Sequence, residues 1–282
     1  QVYLSNSQTG VLLGSHSRAM ESAREMIGLI TRESRMADFR GCVEIDKITN
    51  HLDVADPDYI ADYSTLLESG IDGLDDTVNV IIGGTNVVSG TDVLILRGSN
   101  DACSGNGRIT NANTNDIEVS TTCDLAVSQV VMISNCKTGE LFSITDSPVG
   151  GAVGNSMFEH ETGAIAGVLV SNSSKIFSQI YGPESTILLP YEKRYFIAEG
   201  VNGTTSLFVS DTGIVNEMVP NVTDLQLTYG EDTNNNGSVN IYRVAGAVGQ
   251  VLENIINVRI ELTASDGDHE ELFDTVINLR NR

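Results

Sequence analysis

Between Leu12 and Arg40 the chain runs without proline, and Met20, Ala23, Ile27 and Ile30 recur at the spacing of one helical face, with Met26 and Ala37 flanking them. The spacing predicts a single long amphipathic helix. Arg24 with Glu21 and Glu25, and Asp38 near Arg35, supply charge for the opposite face, while Gly41 stands where a C-terminal cap belongs. The helix is expected to end at Gly41 and Cys42.

After Cys42 the pattern changes to short β-rich runs separated by Gly, Asn, Asp and Ser, at 78–82, 93–96, 130–133, 141–144, 165–170, 176–180, 186–189, 194–197, 206–209, 225–229, 240–244, 257–263 and 272–279. The pattern is largely antiparallel, so the expected class is α+β. The last two runs predict a hairpin: Ile256, Val258 and Ile260 alternate with Asn257, Arg259 and Glu261, and Asp266-Gly267-Asp268 offers the turn. Residues 98–127, rich in Asn, Thr, Ser and Gly and holding Cys103 and Cys123, read as a long loop that a disulfide staples. No internal repeat is present.

With 282 residues, of which 40% are hydrophobic, the chain can bury a substantial core as one large domain or two small ones. Its net charge of −22 excludes nucleic acid as a partner, because a phosphate backbone is bound by a dense basic face. The charge is uneven. Between 18 and 47, Arg18, Arg24, Arg32, Arg35, Arg40 and Lys47 balance Glu21, Glu25, Glu33, Asp38, Glu44 and Asp46, so the acidic excess lies elsewhere.

No apolar run is long enough to cross a bilayer, and no secretory leader is recognisable. The opening Gln1-Val2-Tyr3-Leu4 runs toward the helix without a cap, so a preceding segment is expected. Four cysteines, Cys42, Cys103, Cys123 and Cys136, suggest two disulfides and an oxidising compartment; the alternative is four reduced, buried thiols.

Catalytic motifs find little support. His160-Glu161 and His269-Glu270 lack the second histidine of a zinc-protease helix, and no Gly-x-Ser-x-Gly elbow accompanies the four histidines, His16, His51, His160 and His269. Gly83-Gly84 and Gly150-Gly151 lack the Lys-Ser/Thr of a phosphate loop, and no Cys-x-x-Cys pair exists for zinc or redox chemistry. No enzyme is expected. A hydrolase with a carboxylate pair has abundant Asp and Glu to draw on, but nothing in the sequence places two of them together.

One spacing carries a chemical rationale. Asp232, Asn234, Asn236, Gly237, Ser238 and Asn240 occupy positions 1, 3, 5, 6, 7 and 9 of a calcium loop, where alternate oxygen ligands converge on a cation and the glycine permits the turn. Position 12 is Arg243, so the bidentate carboxylate is missing and help would have to come from Glu231 or another acidic loop. The same residues also read as an Asn/Gly-rich turn between strands. Calcium is the one cofactor this pattern offers, and none is required.

Two stretches resemble a known family. Arg32-Glu33-Ser34-Arg35-Met36-Ala37-Asp38-Phe39-Arg40-Gly41-Cys42 is similar to the helix-end signature of PilW-type minor pilins, and 273–282, closing on Leu279-Arg280-Asn281-Arg282, resembles that family's final strand. Between them, Asn135-Cys136-Lys137-Thr138-Gly139-Glu140-Leu141-Phe142 resembles the family's Asp-Cys segment, and 229–240 its Asp/Asn/Gly loop. The prepilin leader, the Gly-Phe boundary and the apolar first half of the pilin helix are not in the sequence.

The resemblance implies a pilin-like fold, with residues 1–41 as the C-terminal half of a stem helix packed on a β-rich head, 42–282. It implies a structural role: a minor pilin that helps initiate and assemble type IV pili, in a tip complex that can present a PilY-like adhesin. The implied partners are other minor pilins and the major pilin, with membrane contact only through the upstream helix, and the implied setting is the cell-surface pilus after the inner membrane and periplasm. Arg24, Arg32 and Arg35 would then face neighbouring subunits or the head itself. It further implies that Cys42 pairs with Cys136 and Cys103 with Cys123, although four cysteines also allow two other pairings. The alternatives are a type II secretion minor pseudopilin and a secreted calcium-dependent adhesin or binding module; the absence of tryptophan weakens a sugar-stacking site.

Overall fold

The computed structural model describes residues 20–56, 63, 65–103, 109–112, 116–120, 123, 125–147, 156–165, 167–265 and 269–279. Helix α1 covers 20–36. The strands that follow are β1 (Ile48–Asn50), β2 (Ile71–Leu74), β3 (Ile81–Ile82), β4 (Thr85–Asn86), β5 (Val93–Asp101), β6 (Ile109–Ala112), β7 (Asp116–Val119), β8 (Val130–Ser134) and β9 (Gly139–Ser143). Then come β10 (Ser156–Glu159), β11 (Thr186–Glu199), β12 (Thr205–Asp211), β13 (Ile214–Pro220), β14 (Val222–Glu231), β15 (Ile241–Arg243), β16 (Ile255–Ser265) and β17 (Glu270–Asn278).

This corrects the expected class. Among the described residues the structure is mostly β, 47% strand against 11% helical, with one short helix near the N-terminus in place of a long helix packed on a head. The first nineteen positions of the expected stem lie outside the described residues. At its other end α1 stops before Gly41: the last helical bond runs from the Ala37 N–H to the Glu33 carbonyl at 2.9 Å, and Asp38 turns left-handed at φ +68°. The Asp38 carboxylate then accepts the Gly70 N–H at 3.1 Å. A side chain on Gly70 would fall 2.4 Å from the Asp38 backbone, so this close approach requires glycine there. The mostly antiparallel character of the sheets is as expected; β1 with β9 is a parallel exception.

The chain divides into two compact units, the first drawn from 1–38, 69–96 and 192–282 and the second from 39–68 and 97–191. In the first, β2 pairs with the start of β5, the later part of β11 pairs with β12 and β12 with β13, and β14–β17 form a four-stranded sheet in the order β15-β14-β16-β17. One apolar cluster joins Met20, Ala23, Met26 and Ile30 of α1 to Leu225, Leu227, Val258, Ile260, Leu262 and Ile277. Alternation explains it: along β16 the side chains from Val258 to Ala264 are buried at every second position. Met26 is buried where Ile27 is only partly so, which rotates the helical face slightly from the expected one.

In the second unit β9 pairs with β8, and β8 with the opening of β11, while β6, β7 and β10 form a separate three-stranded sheet. Its main core gathers Ile109, Ile117, Val119, Phe142, Phe158 and Tyr181. The expected loop at 98–127 thus contains β6 and β7. Two expected strands are irregular instead: among their described residues 165–170 and 176–180 form no ladder, and Leu169, Ile176 and Ile180 are exposed there. Gly163 and Gly167, at φ +81° and +87°, break the extended path on which a strand at 165–170 depends. The hairpin turn at 266–268 lies outside the described residues, but β16 and β17 pair in unbroken register from Asn257↔Asn278 to Ser265↔Glu270.

Candidate interaction surface

The four-stranded sheet of the first unit has a covered face and an open one. Its open face centres on Arg259 of β16, whose guanidinium makes two parallel bonds to Asp274 of β17, Nε to Oδ1 at 2.9 Å and a terminal nitrogen to Oδ2 at 2.8 Å. Glu261 lies 3.1 Å from the same guanidinium. In register Arg259 stands opposite Val276 and Glu261 opposite Asp274, so the bidentate pair runs diagonally between strands. Hydrogen bonding and charge from Asp274 raise the Arg259 pKa, and the Arg259 hydrogen bond lowers that of Asp274. Around this ionic centre Tyr242, Leu272 and Val276 are exposed. Large apolar side chains beside an ordered ion pair, on the open face of a sheet, give a surface suited to a protein partner.

The loop after β14 holds the calcium-spaced residues. Asp232 is buried, and its two oxygens accept the amides of Asn236 at 3.1 Å and Gly237 at 2.6 Å. Burial alone raises the Asp232 pKa, but the amides of Gly237, Asn236, Asn234 and Asn235 outweigh it and hold the carboxyl below its usual value. Asn236 Oδ1 accepts the Ser238 N–H at 2.9 Å, and Asn240 exchanges bonds with Thr233 at 3.0 and 2.8 Å. Asn234 and Ser238 are exposed. The structure therefore brings these residues onto one turn but aims most of their side-chain oxygens at the turn's own backbone, and among the described residues no three acidic, histidine or cysteine side chains are grouped to hold a metal ion. Arg243, at the position where a calcium loop places its carboxylate, lies 3.1 Å from buried Glu231 and donates to the Val248 carbonyl at 2.9 Å.

The first unit also holds a buried carboxylate. Asp92 is fully buried and accepts the Leu227 N–H at 2.7 Å and the Asp76 N–H at 2.9 Å. Burial, with the charges of Asp75 and Asp76, overcomes these donors and pushes its pKa up to about 6.

The second unit holds a different buried network. Glu140 of β9 accepts the Ser178 hydroxyl at 2.5 Å, the Ser178 N–H at 2.8 Å and the Tyr181 hydroxyl at 3.1 Å, and its other oxygen meets His51 Nε2 at 2.5 Å. Burial raises the Glu140 pKa, but the donors on His51 and Ser178 outweigh it and hold it below the ordinary carboxylate value. Serine, carboxylate and imidazole are thus joined in that order. A nucleophilic serine needs the imidazole as its own acceptor, and here the carboxylate stands between them. His160 is fully buried, stacks on Phe177 at 4.3 Å and donates through Nε2 to the Lys175 carbonyl at 3.2 Å. Burial lowers its pKa to about 4. Among the described residues no helix is long and apolar enough to cross a membrane.

Both disulfides belong to this unit: Cys42 bonds to Cys136 and Cys103 to Cys123. The sequence reading passed over the Arg259–Asp274 pair, the Glu231–Arg243 pair and the Glu140 network. The first had a visible signal, an arginine on the polar side of an alternating hairpin with an acid within diagonal reach. The Glu140 network had none, because its members come from 51, 140, 178 and 181. No curated protein and no solved structure matches the chain. Residues 194–281 match the family model of PilW, the type IV pilus-assembly protein W, which supports the resemblance read from the sequence.

Proposed function

We propose that the chain is a minor pilin that helps to initiate and assemble type IV pili, in a tip complex with other minor pilins and the major pilin that presents a PilY-like adhesin. It acts at the cell surface after passing through the inner membrane and periplasm, by contact rather than turnover, and without a required cofactor. The observation that carries this reading is a coincidence of place: the family match spans the later part of β11 through β17, and the open face around Arg259 with exposed Tyr242, Leu272 and Val276 lies within it.

The experiment is deletion of the gene in its host, with surface pili counted by electron microscopy and export followed by secretome analysis. Loss of most pili, restored by the wild-type gene, is the expected result. Normal piliation with secreted proteins retained in the periplasm would instead assign the chain to a type II secretion system.

A further inference from the structure

The edge strands of the first unit differ in how they are guarded. Edges are kept from pairing by shortness, bulges, prolines and lysines. β2 and β15 have four and three residues. β13 ends on Pro220, and its ladder with β12 slips between Leu207 and Phe208. β17 is guarded only by charge, and that charge is all acidic: it runs nine residues in unbroken register with β16 and contains no proline, lysine or arginine.

Its backbone direction follows from one bond. The Leu279 N–H donates to the Ile256 carbonyl at 3.0 Å. Antiparallel ladders alternate, so Ile277, Thr275, Phe273 and Glu271 face β16, and the N–H and C=O groups of Glu270, Leu272, Asp274, Val276 and Asn278 point outward. Among the described residues nothing pairs with that outward row. Leu272 and Val276, 57% and 51% exposed, stand on the open face beside it.

Charge selects the occupant. β17 carries Glu270, Glu271 and Asp274, and the chain's net charge is −22. A second copy would bring the same acidic strand against itself, and like charges across strands repel. We infer that β17 accepts, as an added strand, an extended segment of a partner protein that bears lysine or arginine together with apolar residues set over Leu272 and Val276. The inference rests on the assembly reading for its biological setting and supplies the chemistry of one partner.

The test uses the whole chain and a synthetic nine-residue peptide of alternating lysine and valine, with a glutamate and valine counterpart, followed by fluorescence anisotropy and by hydrogen exchange at β17. The lysine peptide is expected to bind at least tenfold tighter than the acidic one and to slow exchange at Leu272, Asp274 and Val276. Val276→Pro removes an outward N–H that β16 does not use, so it should abolish that binding while the fold persists. Val276→Lys keeps the N–H and should weaken the lysine peptide several-fold, which secures the test if the proline variant does not fold. Equal binding of both peptides, binding unchanged in both variants, or slowed β17 exchange in a self-dimer of the chain alone would each overturn the inference. No pilus is present in this assay, so its failure leaves the assembly role standing, and normal piliation after gene deletion leaves the strand result standing.

Discussion

The two units of this chain solve the same problem by different means. The first has no cysteine and relies on apolar packing, in a large cluster running from α1 through β14, β16 and β17 and a smaller one around Ile82, Val93, Phe196 and Phe208, with Asp92 buried at a cost. The second is closed by both disulfides and braced by buried polar groups, Glu140 with His51 and Ser178, and His160 on Phe177. The family match lies wholly in the first unit. The first unit depends on packing that binary patterning encodes; the second depends on disulfides and polar contacts between residues far apart in the sequence.

The disulfides offer the largest way to break the comparison. Cys42 and Cys136 lie 94 residues apart, and closing a loop of that size contributes about 4 to 5 kcal/mol in the chain-entropy account. Cys42→Ser with Cys136→Ser should therefore speed hydrogen exchange strongly in β8 and β9, with β14 and β16 changing little. Equal acceleration in both sets of strands would mean that the units are not separately stabilised.

Acidity should sharpen the contrast, because the two units respond to it with opposite signs. His160 has a folded pKa of about 4 against an ordinary 6.5, so its contribution is complete above 6.5 and is lost as pH falls toward 4, on the order of 3 kcal/mol. Glu140, held below the usual carboxylate value, adds a further loss in stronger acid. Asp92 has a folded pKa of about 6 against 3.8, so its contribution is complete below 3.8 and is lost as pH rises through 6, again by roughly 3 kcal/mol. Exchange measured from pH 4 to 7, corrected for intrinsic rates, should show β9 gaining protection and β14 losing it. His160→Phe should flatten the first trend and Asp92→Asn the second.

The smallest effect is at the Asp232 turn. Asp232→Ala should speed exchange at the Asn236 and Gly237 amides without moving the rest of the sheet. Millimolar calcium is expected to leave the melting temperature unchanged; a rise that Asp232→Ala abolishes would establish a cation in the loop.

What the sequence made legible follows physical range. Alternation at 256–261 and the run at 225–229 marked β16 and β14, because a strand with one buried face writes a period of two into its residues. The helix was legible as a face but not as a length: its end depends on Asp38 meeting Gly70, a contact across thirty-two positions that no local cap signals. At 165–170 and 176–180 apolar residues looked like strands, yet Leu169, Ile176 and Ile180 are exposed there. The Asp232 loop was legible as a turn chemistry, with oxygens at alternate positions, but whether those oxygens serve a cation or the backbone is decided by side-chain direction, which spacing does not encode.

The bond between Cys42 and Cys136 also has a mechanical meaning. Tension applied at the two ends of the chain would pass from position 42 straight to 136, leaving β1 through β8 as slack outside the load path. The 94 residues so bypassed amount to roughly 320 Å of contour at about 3.4 Å each, so a chain pulled in reducing solution should lengthen by that much more than one pulled with the bond intact. Under load, this oxidised bond acts as a strain limiter.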